Sequence, residues 1–215
     1  MNILLISSHF YPVINPRSFR ATELAKELVR QGNQVIVLTL YNSKHSKFSE
    51  EYNIQFKYLP SLKWKEISIE GGSISSKIKR AVRRATQLVA EYPAVELVGL
   101  VKNYINKEKS QYDAIISIAV PYPIHWGVAA SDWKRIAKTW VADCGDPYYG
   151  DTSDSFKKLY HFKFIEKWAF SKMDKITIPI EEGKKGYFKE FHHKINVIPQ
   201  GFDFNIQKSD YQKNE

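Results

Sequence analysis

Asn2-Ile3-Leu4-Leu5-Ile6-Ser7 and Gln34-Val35-Ile36-Val37-Leu38-Thr39-Leu40 are two short apolar runs of strand length. Between them, over 19–31, Leu24, Ala25, Leu28 and Val29 share one helical face, and Gly32 stands where a helix stop is expected. Strand, helix and strand in this order make a βαβ unit. The connecting loop, His9-Phe10-Tyr11-Pro12-Val13-Ile14-Asn15-Pro16-Arg17-Ser18, then lies at the carboxyl edge of a parallel sheet, where open α/β folds bind their ligands.

Outward from this unit, further apolar runs at 53–59, 113–119, 138–142, 175–180 and 195–199 read as strands. Helical patterns lie between most of them, at 75–108 with a break at Pro93, 123–135, 154–172 and 181–191. The alternation predicts an α/β chain with a doubly wound, mostly parallel, Rossmann-like sheet of about seven strands. Right-handed crossovers place helices on both faces. Residues 41–52 and 60–73 are polar and read as loops, and 207–215 reads as a frayed tail or linker.

A chain of 215 residues with 43% hydrophobic and 26% charged residues is that of a soluble globular domain with one good core, or one core plus an appendage. No apolar run approaches the roughly 20 residues that span a bilayer. The first residues lack a basic region and run straight into the first strand, so they are read as that strand and not as a signal peptide. The lone cysteine, Cys144, excludes an internal disulfide and offers no metal spacing; a cytoplasmic location is the default.

The net charge of +9 points to an anionic partner, or to a basic surface that aids solubility. Its densest run lies at 77–84. There Ile78, Ala81, Val82, Ala85, Leu88 and Val89 fall on one arc of a helix, and Lys77, Lys79, Arg80, Arg83 and Arg84 on the other. The apolar arc is expected to pack on the sheet. The basic arc is then either a solvated face or a contact with anionic membrane, where each basic residue contributes on the order of 1 kcal/mol.

The first loop lacks the glycine spacing of a dinucleotide fingerprint, so a nicotinamide cofactor is not expected. Asn15, Pro16, Arg17 and Ser18 stand there instead. Arg17 and Arg20 flank the helix start, where cations oppose the dipole, and an anionic ligand would resolve that conflict. Ser18 alternatively caps the helix. After the fourth strand, Pro123 suits a first helical turn, which would bring Tyr122 and His125 near the ligand edge, although a histidine in an apolar setting is also a common core residue. The fifth strand runs into Asp143-Cys144-Gly145-Asp146-Pro147-Tyr148-Tyr149-Gly150-Asp151, a polar and aromatic cluster at the same edge. Asp143 and Asp146 are the candidate catalytic acids, Asp143 accepting a proton or binding sugar hydroxyls, and Tyr148 and Tyr149 could stack on a sugar ring. The same dipeptides also build turns without any ligand. Replacing Asp143, Asp146 or Arg17 is expected to cost no more than about 1 kcal/mol of stability, as surface changes do. Ser153 or Asp154 is expected to cap the following helix.

With these residues in place a family resemblance emerges. Ile3-Leu4-Leu5-Ile6, Tyr11-Pro12, Glu23-Leu24-Ala25-Lys26-Glu27-Leu28, Gly32-Asn33-Gln34-Val35 and Leu38-Thr39, taken in order, resemble the amino-terminal domain of group 1 glycosyltransferases of the retaining GT-B superfamily. Met173-Asp174-Lys175-Ile176-Thr177 and Ile195-Asn196-Val197-Ile198-Pro199-Gln200-Gly201-Phe202-Asp203 are similar to that family's last strands before its interdomain linker. The resemblance implies that 1–203 is the acceptor-side half of a GT-B fold, that 204–215 is a linker remnant, and that the donor domain lies outside this chain. It further implies a metal-independent hexosyltransferase without cofactor. A nucleotide sugar serves as co-substrate, a polysaccharide or lipid-linked glycan as acceptor, and the inner membrane face as a peripheral site of work; nucleic acid is not a partner. This half alone is expected to be inactive. Two departures stand out: Asn15-Pro16-Arg17-Ser18 replaces the usual Gly-Gly pair, as in one branch of the family, and the histidine often found past the fourth strand is absent at Ala119 and Val120, leaving His125 as its nearest counterpart. The cluster from Asp143 to Pro147 matches the place where that branch carries acids facing the cleft. The alternatives are a non-catalytic nucleotide or sugar-binding module and a basic peripheral membrane adaptor.

Overall fold

The computed structural model describes residues 1–65, 74–151, 157–199 and 201. Seven strands, β1 (Asn2–Ile6), β2 (Gln34–Leu40), β3 (Gln55–Leu59), β4 (Tyr112–Ile118), β5 (Ala137–Asp143), β6 (Lys175–Ile178) and β7 (Ile195–Val197), form one parallel sheet in the order β3-β2-β1-β4-β5-β6-β7. The order reverses between β1 and β4, and that switch point is where a crevice opens outside the strand ends. The strands are short and apolar because both faces of a parallel sheet are to be covered.

One face carries α4 (Glu96–Lys107), α5 (Pro123–Ala129) and α6 (Tyr160–Lys172), which close over the larger core around Trp126, Trp133, Trp140, Phe162 and Phe170. The other face carries α1 (Pro16–Arg30) and α2 (His45–Tyr52), over Leu5, Val35, Val37 and Phe10. Beyond α1 this second face is open. There Ile116, Val141 and Thr177 of β4, β5 and β6 line a groove of about 900 Å³ beside Leu24 and Leu28. A shallower depression of about 490 Å³ lies near the opposite strand ends, between Trp133 and Lys175.

Several local readings change. Helix α1 starts at Pro16, three residues before the apolar period begins, because Asn15 is its cap: Asn15 Oδ1 accepts the backbone N–H of Ser18 at 2.8 Å. Ser18 is therefore not the cap. Helix α2 falls in the segment read as a loop. Its sequence is mostly polar, but His45 and Phe48 are buried against Phe10 and Phe56, and that single apolar edge holds it. The stretch 123–135 ends as a helix at Ala129 and resumes as a 3-10 turn at Trp133–Arg135; 181–191 forms two 3-10 turns, Glu181–Gly186 and Lys189–Lys194. The proposed cap at Ser153 or Asp154, Gln200, the Phe202-Asp203 end of the linker motif and the tail lie outside the described residues.

The basic segment forms α3 (Ile74–Ala90), separated from α4 by the turn at Pro93. Its apolar arc does not pack on the sheet as expected: Ile78 is 60% exposed, and Val82 and Val89 are exposed as well. Helix α4 supplies the layer instead, with Leu97, Val101 and Ile105 buried against α5 and the sheet. Among the described residues no helix is long and apolar enough to cross a membrane.

Candidate functional site

The strand ends β1, β4, β5 and β6 meet the first turn of α1 at the switch point. Two arginines of that turn reach across to two acids of the β5 loop. Arg20 donates from Nη2 to Asp143 Oδ1 at 2.6 Å and from Nε to Asp143 Oδ2, a bidentate pair. Thr177 Oγ1 donates to the same carboxylate at 2.7 Å. Arg20 and Asp143 are both buried, Asp143 with only 2% of its surface exposed. This triad ties α1 to β5 and β6 at the head of the open groove. Burial acts to lower the Arg20 pKa, but the hydrogen bonds and charge of Asp143 outweigh it and the pKa rises.

Arg17 pairs with Asp146, whose side chain is 67% exposed. Its guanidinium lies on Gly145, which has φ +61°, and a Cβ there would collide with it. The positive φ calls for glycine, and a side chain there would also push the flexible end of Arg17 off the loop. The dipole conflict at the start of α1 is thus resolved within the chain: the anions that face Arg17 and Arg20 are Asp146 and Asp143.

The loop from Cys144 to Gly150 is anchored on all sides. Cys144 N–H donates to Thr177 O at 2.9 Å, Tyr122 Oη to Asp146 O at 2.6 Å and Tyr187 Oη to Gly145 O at 3.3 Å. Tyr149 N–H donates to Glu166 Oε2 at 3.2 Å. Glu166 is buried in α6, and burial raises its pKa to about 7 against the opposing pull of the Tyr149 and Tyr148 N–H groups and Lys158.

Of the two expected stacking rings, Tyr149 is half-buried beside Phe188, at 6.1 Å between centroids, and Tyr148 is closed off. Tyr148 is buried among Tyr122, Trp126 and Phe162 with ring centroids 4.8, 5.3 and 5.4 Å away, and its hydroxyl donates to Glu91 at 2.8 Å. Tyr122 is buried too. His125 sits in the core behind the strand ends, its Nδ1 2.8 Å from Ser117 Oγ, which also accepts Trp140 Nε1–H at 2.7 Å. Burial lowers its pKa to about 4, so the ring is neutral. Asn15 is occupied as a cap and Ser18 is buried beneath it. The edge therefore presents Arg17 and Asp146, with Arg20 and Asp143 buttressing them from below. Among the described residues no three His, Cys, Asp or Glu side chains converge as a metal site.

Sequence reasoning missed Thr177, Glu166 and Glu91. Glu166 had a signal: it shares the buried stripe of α6 with Phe162, Ala169 and Phe170, where an acid is out of place without partners.

No family model and no curated protein matches this sequence. Solved structures do match. A glycosyltransferase from Rickettsia africae superposes with a TM-score of 0.53 at 14% identity, covering 94% of this chain and 43% of its own. A protein from Listeria monocytogenes assigned as a UDP-N-acetylglucosamine 2-epimerase gives 0.52 at 11% identity, covering 90% and 44%. UGT89C1 from Arabidopsis thaliana, solved with UDP-L-rhamnose, gives 0.54 at 13% identity, covering 94% and 53%. The chain spans about half the length of each of these structures. Its fold is that of the Rossmann-like amino-terminal half of the GT-B proteins.

Proposed function

We propose that this chain is the acceptor-side half of a retaining, metal-independent glycosyltransferase, which moves a sugar from a nucleotide sugar to a polysaccharide or lipid-linked acceptor. The observation that carries the reading is the charged edge at the switch point, where α1 holds Arg17 against Asp146 on a loop anchored by Thr177 of β6, Tyr122 and Tyr187. The GT-B fold supports it. In this role Asp146 accepts hydrogen bonds from sugar hydroxyls and Arg17 offers positive charge to the departing phosphate, while Arg20 and Asp143 are positioning residues. Such an enzyme works by holding reactants in line and stabilising charge that develops on the leaving group. The exposed cations Lys77 and Lys79 of α3 bring the half-enzyme to an anionic membrane, with Arg80, Arg83 and Arg84 on the same arc.

The test uses nucleotide sugars and lipid-linked acceptors as a panel. The 215-residue chain alone is expected to show no turnover. A longer protein carrying a donor domain is expected to transfer sugar, and Arg17→Ala or Asp146→Ala in it should lower kcat/KM on the order of 10²-fold. Turnover by the 215-residue chain by itself overturns the half-enzyme reading. Nucleotide-sugar binding without turnover by the longer protein favours a binding module instead.

A further inference from the structure

Helix α6 turns an aromatic stripe to solvent. Tyr160, Phe164 and Trp168 recur every four residues and are 62%, 57% and 40% exposed. At 100° per residue they fall within one arc of about 80°. The opposite face, with Phe162, Glu166, Ala169 and Phe170, is the buried one. A core helix needs only that buried face. Three exposed rings in line are an apolar patch without a role in this fold.

Lysines flank the stripe on both sides. Lys163 Nζ lies over the Tyr160 ring at 5.5 Å and Lys172 Nζ over the Trp168 ring at 4.7 Å. Long basic side chains beside Tyr and Trp suit a water–lipid boundary, where the rings sit at headgroup level and the ammonium groups reach phosphate. The stripe continues onto α3: His161 Nε2 is 3.0 Å from Val89 O, which joins the start of α6 to the end of α3 and its exposed Val82 and Val89.

We propose that the outer stripe of α6 is a membrane-insertion surface for anionic phospholipid bilayers. The inference rests on the reading that the protein works at an anionic membrane, and adds to the charges of α3 an element that enters the bilayer. Charge complementarity selects the occupant. The chain carries +9, and the stripe is edged by lysines. Interfacial helices of this kind bind through buried apolar area together with attraction to anionic lipid.

The experiment is sedimentation of the full chain with phosphatidylcholine vesicles, with and without phosphatidylglycerol. Three proteins are compared: the parent, Tyr160→Ser/Phe164→Ser/Trp168→Ser, and Lys77→Gln/Lys79→Gln. The stripe variant should keep its circular dichroism spectrum and lose about tenfold or more of its partitioning into anionic vesicles, since each ring gives up apolar area. A second readout is quenching of Trp168 by brominated acyl chains in a Trp64→Phe background, where Trp126, Trp133 and Trp140 are buried out of the quencher's reach and contribute a constant emission. Quenching is expected on binding. Binding without quenching, with full retention by the stripe variant and loss by the lysine variant, overturns insertion while leaving the surface-charge reading intact. No binding by any of the three overturns both. Dissociation of a dimer by the stripe variant, with vesicle binding unchanged, assigns the stripe to a second copy and overturns the lipid proposal.

Discussion

Asp143→Ala is expected to cost about 3–5 kcal/mol of folding stability, the penalty for leaving a buried guanidinium without its counter-ion. The carboxylate accepts from Arg20 twice and from Thr177 once, and all of these groups are shielded from water. Asp146→Ala, three residues on, should cost no more than about 1 kcal/mol, because its side chain is 67% exposed and its pair with Arg17 is screened. The uniform small cost expected from sequence for both acids therefore does not survive the burial of Asp143. Urea unfolding of the two single variants provides the comparison. The double variant Arg20→Met/Asp143→Leu should lose much less than the two single losses added together, since replacing both partners by apolar groups removes the orphaned charge. Equal stabilities for Asp143→Ala and Asp146→Ala would show that the ion pair is not buried in solution. An activity defect in Asp143→Ala is then to be read against its folded fraction before any role at the substrate is assigned.

The βαβ opening and the alternation of runs were legible because a parallel sheet needs short apolar strands and helices with one apolar face, and both leave strong periods in sequence. Right-handed crossovers then put helices on both faces, whereas the strand order β3-β2-β1-β4-β5-β6-β7 is set by where the chain reverses, which no local period records. Helix α2 was illegible because it buries only His45 and Phe48 firmly, too few positions to set a period among serines, lysines and glutamates. The start of α1 was missed for the opposite reason: Asn15 and Pro16 are a cap and a first turn, but their place in a ligand loop drew a functional reading. Arg17 and Arg20 show the limit most clearly. Their conflict with the helix dipole was a sound inference, yet the anions that answer it stand 129 and 123 residues away in sequence. Local patterns cannot distinguish an anion supplied by a ligand from one supplied by the fold. The same holds for Tyr148, whose aromatic ring reads as a sugar platform until the neighbouring rings that cover it are placed.

Stability between about pH 4.5 and 6.5 is expected to hide two opposing slopes, which single substitutions will expose. Glu166 has its pKa raised from 4.5 to about 7 by burial. In that window the folded chain keeps a proton that the unfolded chain has lost, so this group makes stability fall as pH rises. His125 has its pKa lowered from 6.5 to about 4, also by burial. Here the unfolded chain holds the extra proton, so this group makes stability rise with pH, and its contribution is lost as pH falls from 6.5 through 4. Each shift spans about 2.5 pKa units and corresponds to roughly 3 kcal/mol, with opposite sign. Glu166→Gln keeps an oxygen for the Tyr149 N–H but no longer titrates. Its stability relative to the parent should therefore climb by roughly 3 kcal/mol between pH 4.5 and 7. His125→Phe should show the reverse, its stability relative to the parent climbing by about as much from pH 6.5 down to pH 4, whatever fixed cost the lost bond to Ser117 adds. Chemical denaturation of the parent and both variants at half-unit pH steps reads these difference curves directly. A flat difference curve for Glu166→Gln would mean that the carboxyl is hydrated in solution and does not hold the loop beneath Asp146 through a buried bond.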